Sequence, residues 1–159
     1  MIAYRKAAPP DTETLARLRG DMLCDETGYP EAFASLLRTN TAQFIADGLA
    51  DRSVAAWVAT DGDRIIAMGC VNFFSLPPND WCPSGKTAYI GNLYTLPAYR
   101  KQGIGGNLLT RLVEEAKSRH CERILLHATD KGRPLYKAHG FEGSPTAMAC
   151  YPFGILPSA

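Results

Sequence analysis

Three glycines stand within four positions, Gly103, Gly105 and Gly106, directly after the long polar side chains of Arg100, Lys101 and Gln102. An apolar stripe starts at the same place. Ile104, Leu108, Leu109, Leu112, Val113 and Ala116 recur at helical spacing, with Arg111, Glu114, Glu115, Lys117 and Ser118 on the other face, which predicts an amphipathic helix packed on a sheet. The first turn of such a helix has four backbone N–H groups without intrahelical partners and carries the positive end of the macrodipole, so main chain alone can hold an anion there. Side chains would obstruct a close approach. Glycine removes them at a conformational cost of up to ~1 kcal/mol each relative to alanine, and three such costs at one helix start are hard to explain by packing.

The nucleotide fingerprints do not fit. A dinucleotide loop requires GxGxxG, and glycines at 103, 105 and 106 miss the third spacing. Ser84-Gly85-Lys86-Thr87 looks like the end of a Walker A loop, but its leading glycine would fall at Asp80. Charge agrees with an anionic ligand in the C-terminal half. The whole chain is balanced at +1, whereas residues 100–137 hold nine Lys/Arg against four Asp/Glu. A near-neutral total gives no reason to expect nucleic acid or an anionic membrane as partner.

The elements that must position this loop follow from pattern. Ile2 to Arg5 alternates as a short strand, and Pro9-Pro10-Asp11-Thr12 reads as a helix start with Asp11 or Thr12 as N-cap, followed by Leu15, Leu18 and Met22 at helical spacing. Cys24 to Tyr29 reads as a polar loop, and a second helix places Phe33, Leu36, Leu37, Phe44 and Ile45 on one stripe. Val54–Ala59 and Ile65–Val71 flank Asp61-Gly62, a strong hairpin signal. Ser75 to Lys86 is a Pro-rich loop. Strands are then expected at Ala88–Thr95, Arg123–Ala128 and Ala147–Tyr151, with helices between them, the last one short and centred on Tyr136. That alternation implies a parallel or mixed sheet with covering helices. The length, 159 residues, suits one domain over 1–159. Five cysteines, odd in number and without CxxC or Cys/His clustering, argue against a disulfide framework or zinc site and for a reducing compartment. With no apolar leader or membrane-length run, a cytoplasmic protein is expected.

Arg100-Lys101-Gln102-Gly103-Ile104-Gly105 is an R/Q-x-x-G-x-G/A string after a strand and before a helix. Asn92 to Tyr99 precedes it, and Leu135-Tyr136-Lys137-Ala138-His139-Gly140-Phe141 follows. Together these segments resemble the GNAT superfamily of acetyl-CoA-dependent N-acetyltransferases. The resemblance implies an α/β (mixed α+β) GNAT fold, a central twisted mixed sheet flanked by helices, with acetyl-CoA as co-substrate and no metal. It implies that Leu93, Tyr94 and Thr95 pair with the pantetheine arm as an added strand would. One N–H there would stabilise the oxyanion formed on attack, an effect of ~3 kcal/mol for preorganised donors. It further implies that Arg100, Lys101, Gln102, Gly103, Ile104, Gly105 and Gly106 hold the diphosphate. Tyr136 is the expected catalytic acid. A thiol leaving group has an ordinary pKa near 8.5 and tyrosine near 10, so the phenol stays protonated yet can deliver its proton to sulfur.

Two departures from the family pattern remain. Thr129 stands where the family often has asparagine near the cofactor, and Ala88–Thr95 carries no carboxylate to act as base, offering Tyr89 and Asn92 instead. His127 is a further candidate, since histidine as a side chain can exchange a proton near neutral pH, but a lone His in an apolar strand is more often structural. The base is therefore unassigned. The loops at 24–30 and 75–86 are expected to select the acceptor, with Asp25, Glu26 and Asp80 available to attract an ammonium group. The expected acceptor is a small-molecule primary amine, with a peptide or protein amine as a further option. Transfer is expected by direct attack in a ternary complex, since neither Cys121 nor Cys150 has a nucleophile's sequence context. A homodimer through the sheet edge or the final strand would be in keeping with the family. The alternative reading is a non-catalytic acyl-CoA-binding or regulatory domain.

Overall fold

The structure, a computed structural model, describes residues 1–152. Strand β1 (Ile2–Lys6) leads through a 3-10 turn (Pro9–Asp11) into helices α1 (Thr12–Thr27) and α2 (Glu31–Asp51). Strands β2 (Val54–Asp61), β3 (Arg64–Ser75) and β4 (Lys86–Thr95) follow, then a 3-10 turn (Pro97–Tyr99), helix α3 (Ile104–Ser118), strand β5 (Arg123–Leu125) and helix α4 (Arg133–Ala138). The sheet runs β1-β2-β3-β4-β5, antiparallel except for the parallel pair β4 and β5. This is the expected mixed sheet flanked by helices.

Alternation along the strands sorts the core into two layers. Val54, Ala56 and Val58 of β2 face α1 and α2 and pack with Leu15, Leu18, Met22 and Ile45. Ala55, Val71, Ala88 and Ile90 face the other way onto Leu109, Leu112 and Ala116 of α3. Each fully buried aliphatic side chain contributes about 1.5–3 kcal/mol relative to exposure, so α3 is held firmly where its first turn meets the end of β4.

Four expectations change. The Cys24 to Tyr29 segment is loop only at Gly28 and Tyr29: α1 continues to Thr27 and stops at Gly28, whose left-handed φ of 65° lets its N–H reach Cys24 O at 3.3 Å. Only Ile45 of the anticipated α2 stripe is fully buried. Leu36 and Phe44 are exposed, and the core face is Ala34, Ile45 and Gly48. Arg123–Ala128 is a strand only as far as Leu125, because β4 offers pairing partners only at Thr87, Ala88 and Tyr89. Ala147–Tyr151 forms no strand, since it pairs with neither the free edge of β5 nor any other described strand.

Among the described residues no helix is long and apolar enough to cross a membrane, and no group of three His, Cys, Asp or Glu is placed to hold a metal ion. The loop at 75–86 is closed tightly by Gly85. It sits at φ 74°, and a Cβ there would lie 2.2 Å from Leu76 O. Gly85→Ala adds that collision to left-handed strain and is expected to lower stability by about 3 kcal/mol, read as a lower urea midpoint at unchanged m-value.

Candidate active site at the fork of the sheet

Strand β4 pairs with β3 along its whole length, but with β5 only over Thr87–Tyr89. Beyond Tyr89 the two strands part, leaving a fork whose open edge is the second half of β4. The register explains where β4 turns. Gly91 opposes Cys70 and Tyr94 opposes Met68, so Asn92 and Leu93 share the single partner Gly69 and form a bulge, with Asn92 in the left-handed region at φ 55°. Past the bulge, Leu96 N–H donates to Ile66 O at 2.9 Å, which turns the alternate residue Thr95 away from β3. Tyr94 pairs with Met68, so Leu93 and Thr95 are the residues whose main chain addresses the fork.

The glycine loop closes one side of that opening. Lys101 and Gly103 both have left-handed φ, 59° and 76°. The first helical bond of α3 is Asn107 N–H to Gly103 O at 3.1 Å. The N–H groups of Ile104, Gly105 and Gly106 therefore precede any intrahelical acceptor and point out of the helix end. Ile104 is buried and anchors the turn, while Lys101, Gln102 and Gly103 are exposed. Gly105 and Gly106 also carry α4: a Cβ at either would stand 3.6 Å from Leu135, and at Gly106 3.5 Å from His139. The exposed Lys101 ammonium and outward N–H donors suit a diphosphate, so the chain fits the anion the loop implies.

Tyr136 reaches the site from α4. It is half-buried, packs with Leu135 and Phe141 against the α3 side of the sheet, and meets the Phe141 ring edge-on at 6.1 Å. Gly132 leaves room for its ring, since a Cβ there would lie 3.1 Å from Tyr136 Cε2. Thr129 is placed one turn earlier, where its hydroxyl accepts from Gly132 N–H at 3.1 Å and so shapes the start of α4.

Arg100 is turned back from the loop. Its Nε–H donates to Thr95 O at 2.9 Å, its Nη2 lies 3.5 Å from Asp25, and its guanidinium stands over the Tyr94 ring at 5.4 Å. Tyr94 donates its hydroxyl to Asp25, and burial together with that carboxylate raises the Tyr94 pKa. Asp25, the end of α1 and the outer half of β4 are thereby tied into one unit on the face opposite α3. Sequence reasoning singled out Asp25 without that partner; an acidic residue at a helix end carries no local sign of it. Glu26 lies in α1, and Asp80 lies exposed in the 75–86 loop.

Neither Cys70, on the strand beside the fork, nor the more distant Cys121 is a good nucleophile. Burial pushes the Cys70 thiol, opposite Gly91, up to about 12, and burial also raises the Cys121 thiol. A groove of about 730 Å3 opens elsewhere, between α1 and α2, and borders neither the fork nor the glycine loop.

The fold is shared with solved acetyltransferases. A predicted acetyltransferase from Clostridium acetobutylicum, whose crystal structure contains acetyl-CoA, is 33% identical and superposes with a TM-score of 0.89 over 96% of this chain and 97% of that one. The chain belongs to the acetyltransferase (GNAT) family, whose model matches residues 21–141. Similar curated proteins include the probable glucosamine 6-phosphate N-acetyltransferase 2 of Oryza sativa subsp. japonica, 31% identical over 62% of this chain and 57% of that protein. The thialysine N-epsilon-acetyltransferase of Mus musculus is 28% identical over 54% and 47%. The chain thus spans about half the length of the curated relatives it matches.

Proposed function

We propose that this protein is an acetyl-CoA-dependent N-acetyltransferase that moves the acetyl group directly to a primary amine in a ternary complex. The observation that carries the reading is the parting of β4 from β5 after Tyr89, set beside the outward N–H groups of α3. Bound acetyl-CoA supplies an activated acetyl group as its thioester. The chain's own groups do the rest. The main chain of Leu93 and Thr95 holds the pantetheine arm as an added strand, assisted by Tyr94 beneath it. The N–H groups of Ile104, Gly105 and Gly106, with Lys101, Gln102 and Gly103, hold the diphosphate, while Arg100, expected among them, instead braces the edge of β4 through Thr95 O and Asp25. The Tyr136 hydroxyl gives its proton to the departing sulfur. Thr129 supports this by setting the start of the helix that carries Tyr136.

The amine approaches from the face of β4 that carries Asp25, where a carboxylate favours an ammonium group. The named acceptors of the similar curated proteins, glucosamine 6-phosphate and thialysine, are amines and support a small-molecule acceptor. Five unpaired cysteines support a reducing, cytoplasmic setting.

Initial-velocity kinetics test direct transfer. Double-reciprocal lines for acetyl-CoA at several amine concentrations are expected to intersect; parallel lines would mean a covalent acetyl-enzyme and would overturn the ternary complex.

A further inference from the structure

Tyr89 and His127 face each other across the fork, one from β4 and one from the segment that follows β5. Tyr89 is the last residue of β4 paired with β5, opposite Leu125, and His127 stands two residues past Leu125, where pairing has ended. Tyr89 Oη and His127 Nδ1 are 2.8 Å apart, with ring centroids at 5.7 Å. The tyrosine ring leans along its strand toward the bulge: a Cβ on Gly91 would lie 3.3 Å from Tyr89 Cε1, so the glycine makes room for it. Tyr89 lies on the same face of β4 as Gly91, opposite Ala88 and Ile90, which face α3. Its hydroxyl is therefore set at the apex of the fork on the amine's side of the sheet, while Tyr136 packs on the α3 side.

An acceptor ammonium must lose a proton before it can attack, and near neutral pH a lysine-like amine is about 3 pK units from doing so unaided, roughly 4 kcal/mol. Strand β4 has no carboxylate for the purpose. Resting on the transferase reading above, we propose that Tyr89 and His127 form the proton relay that neutralises the acceptor: Tyr89 Oη takes the ammonium proton as its own hydroxyl proton passes to His127 Nδ1. One N–H bond breaks on the acceptor and one O–H bond forms on Tyr89. The original O–H bond breaks, and an N–H bond forms on the imidazole. The nitrogen lone pair is left free to attack, and the imidazolium, on an exposed residue, returns its proton to water. Burial raises the Tyr89 pKa, so a standing tyrosinate is not the base, and the hydroxyl acts only by handing its proton on at once.

The test uses three full-length variants, His127→Ala, Tyr89→Phe and the double variant, with the primary amine that wild-type enzyme turns over fastest. His127→Ala is expected to lower kcat roughly 10- to 50-fold with the acetyl-CoA Kd unchanged within about twofold, because water replaces the imidazole only in part. Added imidazole is expected to restore much of that loss in His127→Ala and none in the double variant, since rescue must pass through the Tyr89 hydroxyl. Tyr89→Phe keeps the ring over Gly91 and is expected to lower kcat alike. An active wild type with His127→Ala unaffected, or with imidazole rescue equal in the presence and absence of Tyr89, overturns the relay and leaves the transferase intact. A wild type that turns over no amine overturns the transferase reading and the relay with it.

Discussion

Tyr136→Phe is expected to lower kcat by about 100- to 1,000-fold while the acetyl-CoA Kd stays within about twofold, the size of a lost general acid. The ring stays, so its edge contact with Phe141 and its packing beside Leu135 are preserved and only the hydroxyl is removed. Acetyl-CoA binding measured by calorimetry separates the two effects. If kcat is unchanged, the proton reaches the sulfur by another route and the role given to this hydroxyl is wrong. If Kd rises with the fall in kcat, the hydroxyl holds the co-substrate and is not the acid.

Gly103→Val is expected to weaken acetyl-CoA binding by about 100-fold. Gly103 sits at φ 76°, a region that a β-branched residue enters at a cost of about 1–3 kcal/mol. Relief of that strain turns the N–H groups of α3's first turn away from the diphosphate, and the valine methyls stand in the approach to it. Space alone does not set the effect, since a Cβ at Gly103 meets only Asn107 Nδ2, at 3.9 Å. Gly103→Asn distinguishes the causes. Asparagine tolerates the left-handed region, so its Kd is expected to rise several-fold less than that of the valine variant. Equal losses would assign the effect to bulk and not to backbone conformation.

What the sequence made legible follows from how local each signal is. The α3 stripe and its glycines are read from adjacent residues, and helix, burial and outward N–H groups all appear as the periodicity implies. The hairpin of β2 and β3 is equally local, displaced by one residue so that Gly62 and Asp63 make the turn. The fork is different. RILLHA has the composition of a six-residue strand, and only the departure of β4 ends it at Leu125. A ladder needs a neighbour, and no pattern within the segment records when the neighbour leaves. The exposed faces of Leu36 and Phe44 reflect the same limit: helical spacing marks a stripe, whereas the packing of α2 on α1 and β2 buries Ala34 and Gly48 instead. Small residues at a close helix–sheet approach leave a faint trace in hydrophobic periodicity.

At the site, the nearness of Tyr89 to His127 was hidden by a sequence separation of 38, and that of Asp25 to Tyr94 by one of 69. Each partner alone is unremarkable in its own strand or helix. Arg100 shows how a motif position can acquire a second use. The string that opens the loop begins with it, yet its side chain braces Thr95, Tyr94 and Asp25, which fixes the edge of β4 that the pantetheine arm would meet.

The central claim is acyl transfer at the fork, and release of free thiol from acetyl-CoA measures it most directly. The purified protein would be mixed with acetyl-CoA and, one at a time, amino acids, polyamines, amino sugars and their phosphates, aminoglycosides and N-terminal peptides. Thiol release that depends on one class of amine, with the acetylated amine recovered in equal amount, is the predicted result. Tight acetyl-CoA binding with no amine-dependent release across that panel would contradict it and point to a domain that binds the acyl-CoA without turning it over.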